Sequence, residues 1–173
     1  MSIYRERITS EDEENIDVIL NPYPIAVEET LKAVENSPEG EDKKKYVVEL
    51  SAILCHNDAV SNPVVQQKLP RVVELLKNDD LYTCTCIVLA DSCRHVVAIQ
   101  NLYYEIGIFD LLKFELGYQF TVALVFSLCY KNKRNTEYFI ENLYNEERDK
   151  DNEMIQIMLK DYNGVEDYET ISD

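Results

Sequence analysis

The residues best suited to chemistry in this chain of 173 residues are two histidines, each of which closely follows a cysteine. His56 comes directly after Cys55, and His95 comes two residues after Cys93. A cysteine and a histidine can act as a nucleophile and its general base when they lie within hydrogen-bond reach. Adjacent residues on a helix point in different directions, and no third group that would orient either histidine is evident. The pattern favours helix-end histidines beside core thiols, with a small helical hydrolase using Cys55 or Cys93 as a minor alternative.

Other kinds of active site find little support in the sequence. Asp79-Asp80 and Glu146-Glu147 are paired carboxylates, but acid–base catalysis needs contrasting environments, and both pairs stand in polar stretches. Four widely spaced glycines cannot form a phosphate-binding loop. Cys84 and Cys86 lack the spacing of a zinc or redox pair. We therefore expect no enzymatic activity, no metal and no cofactor.

The charge of the chain limits the kinds of partner. The net charge is −16, from 33 acidic and 17 basic residues. Such a chain repels phosphate backbones and anionic lipid surfaces, so we expect neither nucleic acid nor a membrane as a partner, but a basic or amphoteric protein surface. Residues 1–20 contain no apolar signal segment, and no stretch has the apolar length of a membrane span. Five cysteines, an odd number, suit reduced and buried thiols. We expect a cytoplasmic monomer.

Three cysteines end similar apolar segments at nearly constant spacing. "ELSAILC" ends at Cys55, "VLADSC" at Cys93 and "LVFSLC" at Cys129, with separations of 38 and 36 residues, and a polar break follows each. The segments 74–77 (ELLK) and 110–113 (DLLK) are again 36 residues apart. Helical periods near 40 with three helices per unit are typical of armadillo-like repeats, whose neighbours share one core. The sequence predicts an all-α, right-handed α-solenoid of about three such repeats.

The predicted organisation is a helical N-terminal cap and loop over residues 1–41, armadillo-like repeats over 42–162 and an acidic tail over 163–173. Prolines in a first turn predict helix starts at Pro63 and Pro70, and Gly107 predicts a helix end at a residue that tolerates a positive φ. The predicted helices are 11–20, 25–36, 42–55, 63–68, 70–77, 80–93, 95–105, 107–116, 118–130, 134–143 and 151–161.

The surface expected to bind a partner is the concave side of the solenoid, formed by the last helix of each repeat and the loop after it. If the helix that ends at each repeat cysteine faces that side, its exposed positions form a stripe across the repeats. The predicted residues of this stripe are Glu49, Ile53, Ile87, Asp91, Ala123 and Ser127, extended by Arg94 and His95.

Four segments, taken in order, form a pattern known from one protein family. "LSAILCHNDAVSN" is similar to a family helix that runs into a Leu-Cys/Ile-Glu-Asn-x-Asp-Asn-Ala type of motif. "LPRVVELLKNDDLYTCTCIVLADSCRHVVAIQ", "IGIFDLLKF" and "FSLCYKNKRNTEYFIE" follow at similar spacing. Over roughly residues 42–142, the chain resembles the armadillo-type nucleotide-exchange factors of the heat-shock protein 70 chaperones, in a shortened form.

This resemblance implies a function without enzymatic chemistry. Such proteins hold one lobe of the chaperone's ATPase domain with their concave face and distort it, so that ADP leaves. The resemblance also implies that His56, Asn57, Asp58 and Ala59 contact the chaperone, with the small Ala59 permitting close approach. The alternative left open is an armadillo-like adaptor or scaffold that binds another protein or a large assembly.

Overall fold

The computed structural model describes residues 21–163, and all regular secondary structure within them is helical, as the sequence predicts. The predicted helix 11–20, about half of the predicted cap and nearly all of the predicted tail lie outside these residues. Two short 3-10 helices occupy Leu75–Lys77 and Ile108–Leu111. The α-helices are α1 (Tyr23–Asn36), α2 (Glu41–Leu54), α3 (Asn57–Val60), α4 (Pro63–Glu74), α5 (Tyr82–Cys93), α6 (Val97–Ile106), α7 (Tyr118–Cys129), α8 (Lys133–Asn142), α9 (Glu146–Asp149) and α10 (Glu153–Asn163).

The longer helices form two layers. In the first layer, α1, α4, α6 and α8 pack side by side in chain order, and in the second layer α2, α5, α7 and α10 do the same. The chain alternates between the layers, because α1 packs on α2, α4 on α5, α6 on α7 and α8 on α10. The short helices α3 and α9 lie in connections from one layer to the other.

The middle of the second layer carries much of the core. α5 buries eight of its twelve residues and α7 buries seven of twelve, so both helices are apolar nearly all round. Leu89, Leu124 and Leu128 are completely buried. Each such leucine stabilises the fold by about 1.5–3 kcal/mol relative to an exposed one. The predicted helix 118–130 is confirmed as α7, which ends one residue earlier.

Asparagine side chains and the backbone of a glycine define several helix ends. Asn62 Oδ1 accepts hydrogen bonds from the backbone N–H groups of Val64 (2.8 Å) and Val65 (3.2 Å) at the start of α4. Asn132 caps α8 in the same way. Gly107 ends α6 with φ +97°, a left-handed conformation that glycine adopts readily, as predicted.

The predicted helix start at Pro70 is wrong, because Pro70 lies inside α4, which continues to Glu74. A proline there removes one backbone hydrogen bond, that to the carbonyl four residues earlier. The helix nevertheless continues, since Leu69, Val72 and Val73 on either side are buried in the core and Pro70 itself is exposed.

The predicted helix 107–116 is also wrong beyond its first turn, because the chain leaves the helical conformation at Leu112, whose ψ is 135°. The backbone of Lys113 bonds to a side chain instead. Its N–H donates to Tyr82 Oη (2.8 Å), and Tyr82 Oη donates to the Lys113 carbonyl (3.2 Å). A tertiary contact with α5 therefore replaces the helical hydrogen bonds that local sequence favours.

A buried carboxylate fixes the last connection. Asp149 is fully buried and accepts hydrogen bonds from Tyr118 Oη (2.7 Å), from Arg148 Nε (2.8 Å) and from the Asn145 N–H (3.1 Å). Burial by itself would raise the pKa of this carboxyl, but the hydrogen bonds hold the pKa below its ordinary value. Since Tyr118 begins α7, these bonds position the α9 turn, and the α10 that follows it, against the second layer.

Gly117 starts α7 with φ +63°, and a methyl group there would lie 2.7 Å from Thr83 Cγ2. We expect Gly117→Ala to lower the free energy of unfolding by about 2–3 kcal/mol, through the left-handed backbone and the clash together. Urea denaturation measures this loss. The control Thr83→Ala removes the opposing methyl, so the double variant should regain the part due to the clash. A Gly117→Ala protein as stable as the wild type would contradict the close approach of α5 and α7 at this point.

Candidate protein-binding surface

The three repeat cysteines end three neighbouring helices of the second layer, α2, α5 and α7. At the starts of α5 and α7, Tyr82 Oη lies 2.7 Å from Thr121 Oγ1. Just past the ends of the same helices, the rings of His95 and Tyr130 meet edge to face, with centroids 5.3 Å apart. The two helices therefore run in the same direction with their ends aligned.

The segments after the three cysteines consequently lie along one border of the second layer. Asp91, near the end of α5, accepts a hydrogen bond from Ser51 of α2 (3.3 Å), which brings the end of α2 to the same border. We call this border the cysteine edge, and it consists of residues 55–57, 94–95 and 130–131.

A buried glutamine joins two parts of the cysteine edge. Gln100 of α6 is fully buried, and its Nε2 donates to the carbonyls of Ser127 (2.9 Å), Tyr130 (3.1 Å) and Arg94 (3.3 Å). Its Oε1 accepts from Asn132 Nδ2 (3.0 Å). The two hydrogens on Gln100 Nε2 are thus shared among three carbonyls. Because these carbonyls lie at the ends of α5 and α7, the Gln100 amide fixes the two helix ends relative to each other. Sequence reasoning missed this residue.

The predicted partner-binding residues divide by burial. Ile53 and Ala123 are half-buried, and eight others are exposed. Ala59 is fully buried and Ser127 is only 4% exposed, so the expectation that these two contact a partner directly is wrong. Ala59 faces inward because α3 turns its Ala59–Val60 side onto the neighbouring helices, and Ser127 is covered because α7 packs between α5 and α10. The exposed eight are Glu49, His56, Asn57, Asp58, Ile87, Asp91, Arg94 and His95.

The outward face of the second layer carries large apolar side chains in mid-helix. Val48 of α2 is 59% exposed, Ile87 of α5 43% and Ile157 of α10 51%. Exposed apolar side chains of the first layer occur only in the first turns of its helices, as at Val64 and Val97. Periodicity had placed Ile87 on this face, but Val48 and Ile157 were missed.

A depression of about 270 Å³ opens at the cysteine edge and brings together side chains that are distant in sequence. Cys55, Asp91 and His95 share its wall, whereas the sequence paired each histidine with the cysteine nearest to it. Within the described residues, no hydrogen bond joins Cys55 to His95, and Cys55 Sγ donates instead to the Ala52 carbonyl (3.4 Å). The geometry of this thiol is therefore not that of an activated nucleophile.

The five cysteines differ in their surroundings. Cys86, Cys93 and Cys129 are buried as predicted, and burial raises the pKa of Cys86 to about 12 and that of Cys93 and Cys129 as well. Cys84 is half-buried and Cys55 is exposed, so the prediction of burial is wrong for both. Cys55 is exposed because the four-residue helix α3 separates α2 from α4 and leaves the end of α2 uncovered.

Comparison with known proteins gives no match, whether to a family model, to a curated protein or to a solved structure. Among residues 21–163, no cluster of three or more histidine, cysteine, aspartate or glutamate side chains is placed to hold a metal ion. In the same range, no helix combines the length and the hydrophobicity of a membrane span. The function is therefore inferred from this chain's own surface.

Replacing Gln100 tests whether its amide stabilises the cysteine edge. We expect Gln100→Met to lower the free energy of unfolding by about 2–3 kcal/mol, because it leaves buried carbonyls without donors at similar side-chain volume. The control Gln119→Met, at an exposed position of α7, should change stability by less than about 0.5 kcal/mol. Urea denaturation of both variants gives the comparison. Equal effects of the two substitutions would show that Gln100 does not hold the edge.

Thiol reactivity tests the burial of the cysteines. In the native protein near neutral pH, we expect N-ethylmaleimide to modify Cys55 first and to leave Cys93 and Cys129 unmodified until the chain unfolds. Peptide mass spectrometry identifies the modified sites, and Cys55→Ser should remove the fast reaction. Rapid native modification of Cys93 would contradict the buried position described above.

Proposed function

We propose that this protein is a nucleotide-exchange factor of a cytosolic heat-shock protein 70, which binds the chaperone's ATPase domain and promotes the release of ADP. The observation that carries the proposal is the face of the second layer. It presents Val48, Ile87 and Ile157 in mid-helix, beside the exposed carboxylates of Glu49 and Asp91. The resemblance over residues 42–142 connects this face with the exchange factors. No catalytic residue of its own is required for such an activity.

We further infer that the two layers are armadillo-like repeats stacked as a solenoid. Recurring amide contacts support this inference. Gln66 Nε2 donates to the Val60 carbonyl (3.1 Å), Gln100 Nε2 to that of Arg94 (3.3 Å) and Asn135 Nδ2 to that of Leu128 (2.8 Å). The three amides lie 34 and 35 residues apart, near the starts of α4, α6 and α8. This spacing is close to that of the three cysteines, as expected for stacked units that share a core.

The composition of the second-layer face suits a protein partner. Apolar side chains that are about half exposed can be buried in a contact, and the carboxylates of Glu49 and Asp91 beside them favour a basic or amphoteric counterpart. The core below this face is well packed, since α5 and α7 are buried on most sides. A stiff surface can hold a partner in one conformation, because packed helices resist deformation.

Linkage explains how binding alone could release ADP. A protein that binds the opened, nucleotide-free state of the ATPase domain more tightly than the closed state lowers the affinity for ADP by the same factor. A tenfold difference corresponds to about 1.4 kcal/mol of differential binding. The proposed role of this chain is to supply that difference through shape and charge.

The burial of Ala59 favours a second candidate function, an armadillo-like adaptor or scaffold for another protein. The resemblance places Ala59 directly against the chaperone, whereas its side chain is fully covered by its own chain. The exposed neighbours His56, Asn57 and Asp58 remain accessible to either kind of partner.

Release of fluorescently labelled ADP from a cytosolic heat-shock protein 70 tests the exchange activity. We expect the wild-type protein to accelerate release, and Ile87→Asp to weaken this effect about tenfold or more, because it places a charge in the proposed contact. Val64→Asp is the matched control, since Val64 is similarly exposed (46%) but lies in the first layer.

Two outcomes would count against the proposal. If the wild-type protein leaves the release rate unchanged, the exchange function is wrong and the adaptor becomes the better candidate. If both aspartate variants weaken exchange equally, the contact is not on the second layer.

A further inference from the structure

Basic and aromatic side chains cluster at one part of the cysteine edge. Arg94 Cζ lies 5.4 Å from the ring centroid of Phe126, and Lys131 Nζ lies 5.6 Å from that of Tyr130. His95 meets Tyr130 edge to face at 5.3 Å, and the centroids of Phe126 and Tyr130 are 6.0 Å apart. These five residues form one continuous group, which we call the basic-aromatic patch.

The cations of this patch differ from most of the other lysines and arginines within residues 21–163. Neither Arg94 nor Lys131 forms an ion pair within residues 21–163, although the chain has 33 acidic residues. By contrast, Lys68 and Arg71 both pair with Glu28, and Lys113 pairs with Asp79. The cations of the patch lie over aromatic rings instead, where the ring face attracts the positive charge. Their charges therefore remain available to an anionic ligand.

The backbone under the patch is fixed and locally strained. The carbonyls of Arg94 and Tyr130 are both held by the amide of Gln100. Lys131 has φ +49°, and within the described residues no other non-glycine residue has a positive φ. This conformation is unfavourable for a lysine, and strain of this kind occurs often at functional sites. The backbone that carries the patch is thus fixed before any ligand arrives.

We propose that the basic-aromatic patch binds a short acidic peptide segment of a partner protein. Carboxylates of the segment pair with Arg94 and Lys131, and an apolar side chain between them lies over Phe126 and Tyr130. Guanidinium and ammonium groups beside aromatic faces suit alternating acidic and apolar residues. This inference goes beyond the proposed exchange function and does not depend on it.

Charge favours a short peptide over a nucleic acid. A long polyanion would extend from the patch across the rest of a surface that carries a large negative charge. A segment with a few carboxylates is confined to the patch. At physiological salt, charges more than about 8 Å away are largely screened, so the local cations decide its binding.

Fluorescence polarisation of a short labelled peptide of alternating Glu and Leu, titrated with the full chain, tests the proposal. We expect saturable binding that weakens with salt, and about tenfold weaker binding of the same peptide with Gln in place of Glu. The variant Arg94→Gln/Lys131→Asn should weaken binding of the Glu peptide about tenfold. Asparagine tolerates the left-handed conformation at position 131, which preserves the fold.

The matched control is Lys32→Gln/Lys77→Gln, which removes the same charge from two exposed lysines that pair with acidic neighbours. This control should bind the Glu peptide like the wild type. The proposal is overturned if the control weakens binding as much as the patch variant does, or if the Gln peptide binds equally well. Tighter binding of a labelled single-stranded RNA than of the Glu peptide would also overturn it.

Discussion

Two of the three parts of the cysteine edge are positioned by one buried amide, the side chain of Gln100, which lies between the ends of α5 and α7. A buried polar group without partners is strongly unfavourable, so the two helices must stand where its nitrogen reaches their carbonyls. Apolar contact between α5 and α7 supplies most of the stabilisation but tolerates small shifts along the helices. The hydrogen bonds of the Gln100 amide prevent such shifts, and they therefore set the distance between Arg94 and Tyr130.

The second layer carries two surfaces of opposite charge, one with carboxylates and one with basic side chains. The face of the second layer has apolar side chains with carboxylates beside them, as at Ile87 and Asp91. A short distance away, the cysteine edge has Arg94 and Lys131 over aromatic rings. Because α5 contributes to both and is itself held in the core, the surfaces keep a constant distance. Such a layer can engage a basic surface and an acidic segment at the same time.

The sequence predicts the helices well where local rules decide the structure. The end of α6 at Gly107 and the bounds of α7, predicted as 118–130, are examples. It fails where a distant group decides: Tyr82 takes the backbone bonds of Lys113 and ends a predicted helix, and α10 covers Ser127. The side chains around the depression are of this second kind. Cys55 and His95 belong to different helical units, so no local pattern brings them together.

A signal for the cysteine edge was nevertheless present in the sequence. Gln66, Gln100 and Asn135 interrupt helical segments at separations of 34 and 35 residues, and an amide in such a segment is unfavourable unless it finds a partner on folding. Each of them bonds to a carbonyl six or seven residues earlier, where the chain turns into a helix of the first layer. Recurrence at that spacing indicates a repeated tertiary bond, because surface amides have no reason to recur with the period of the core. An amide that recurs at this spacing therefore indicates where the chain turns into a helix of the first layer. The residues just before each such turn form the cysteine edge.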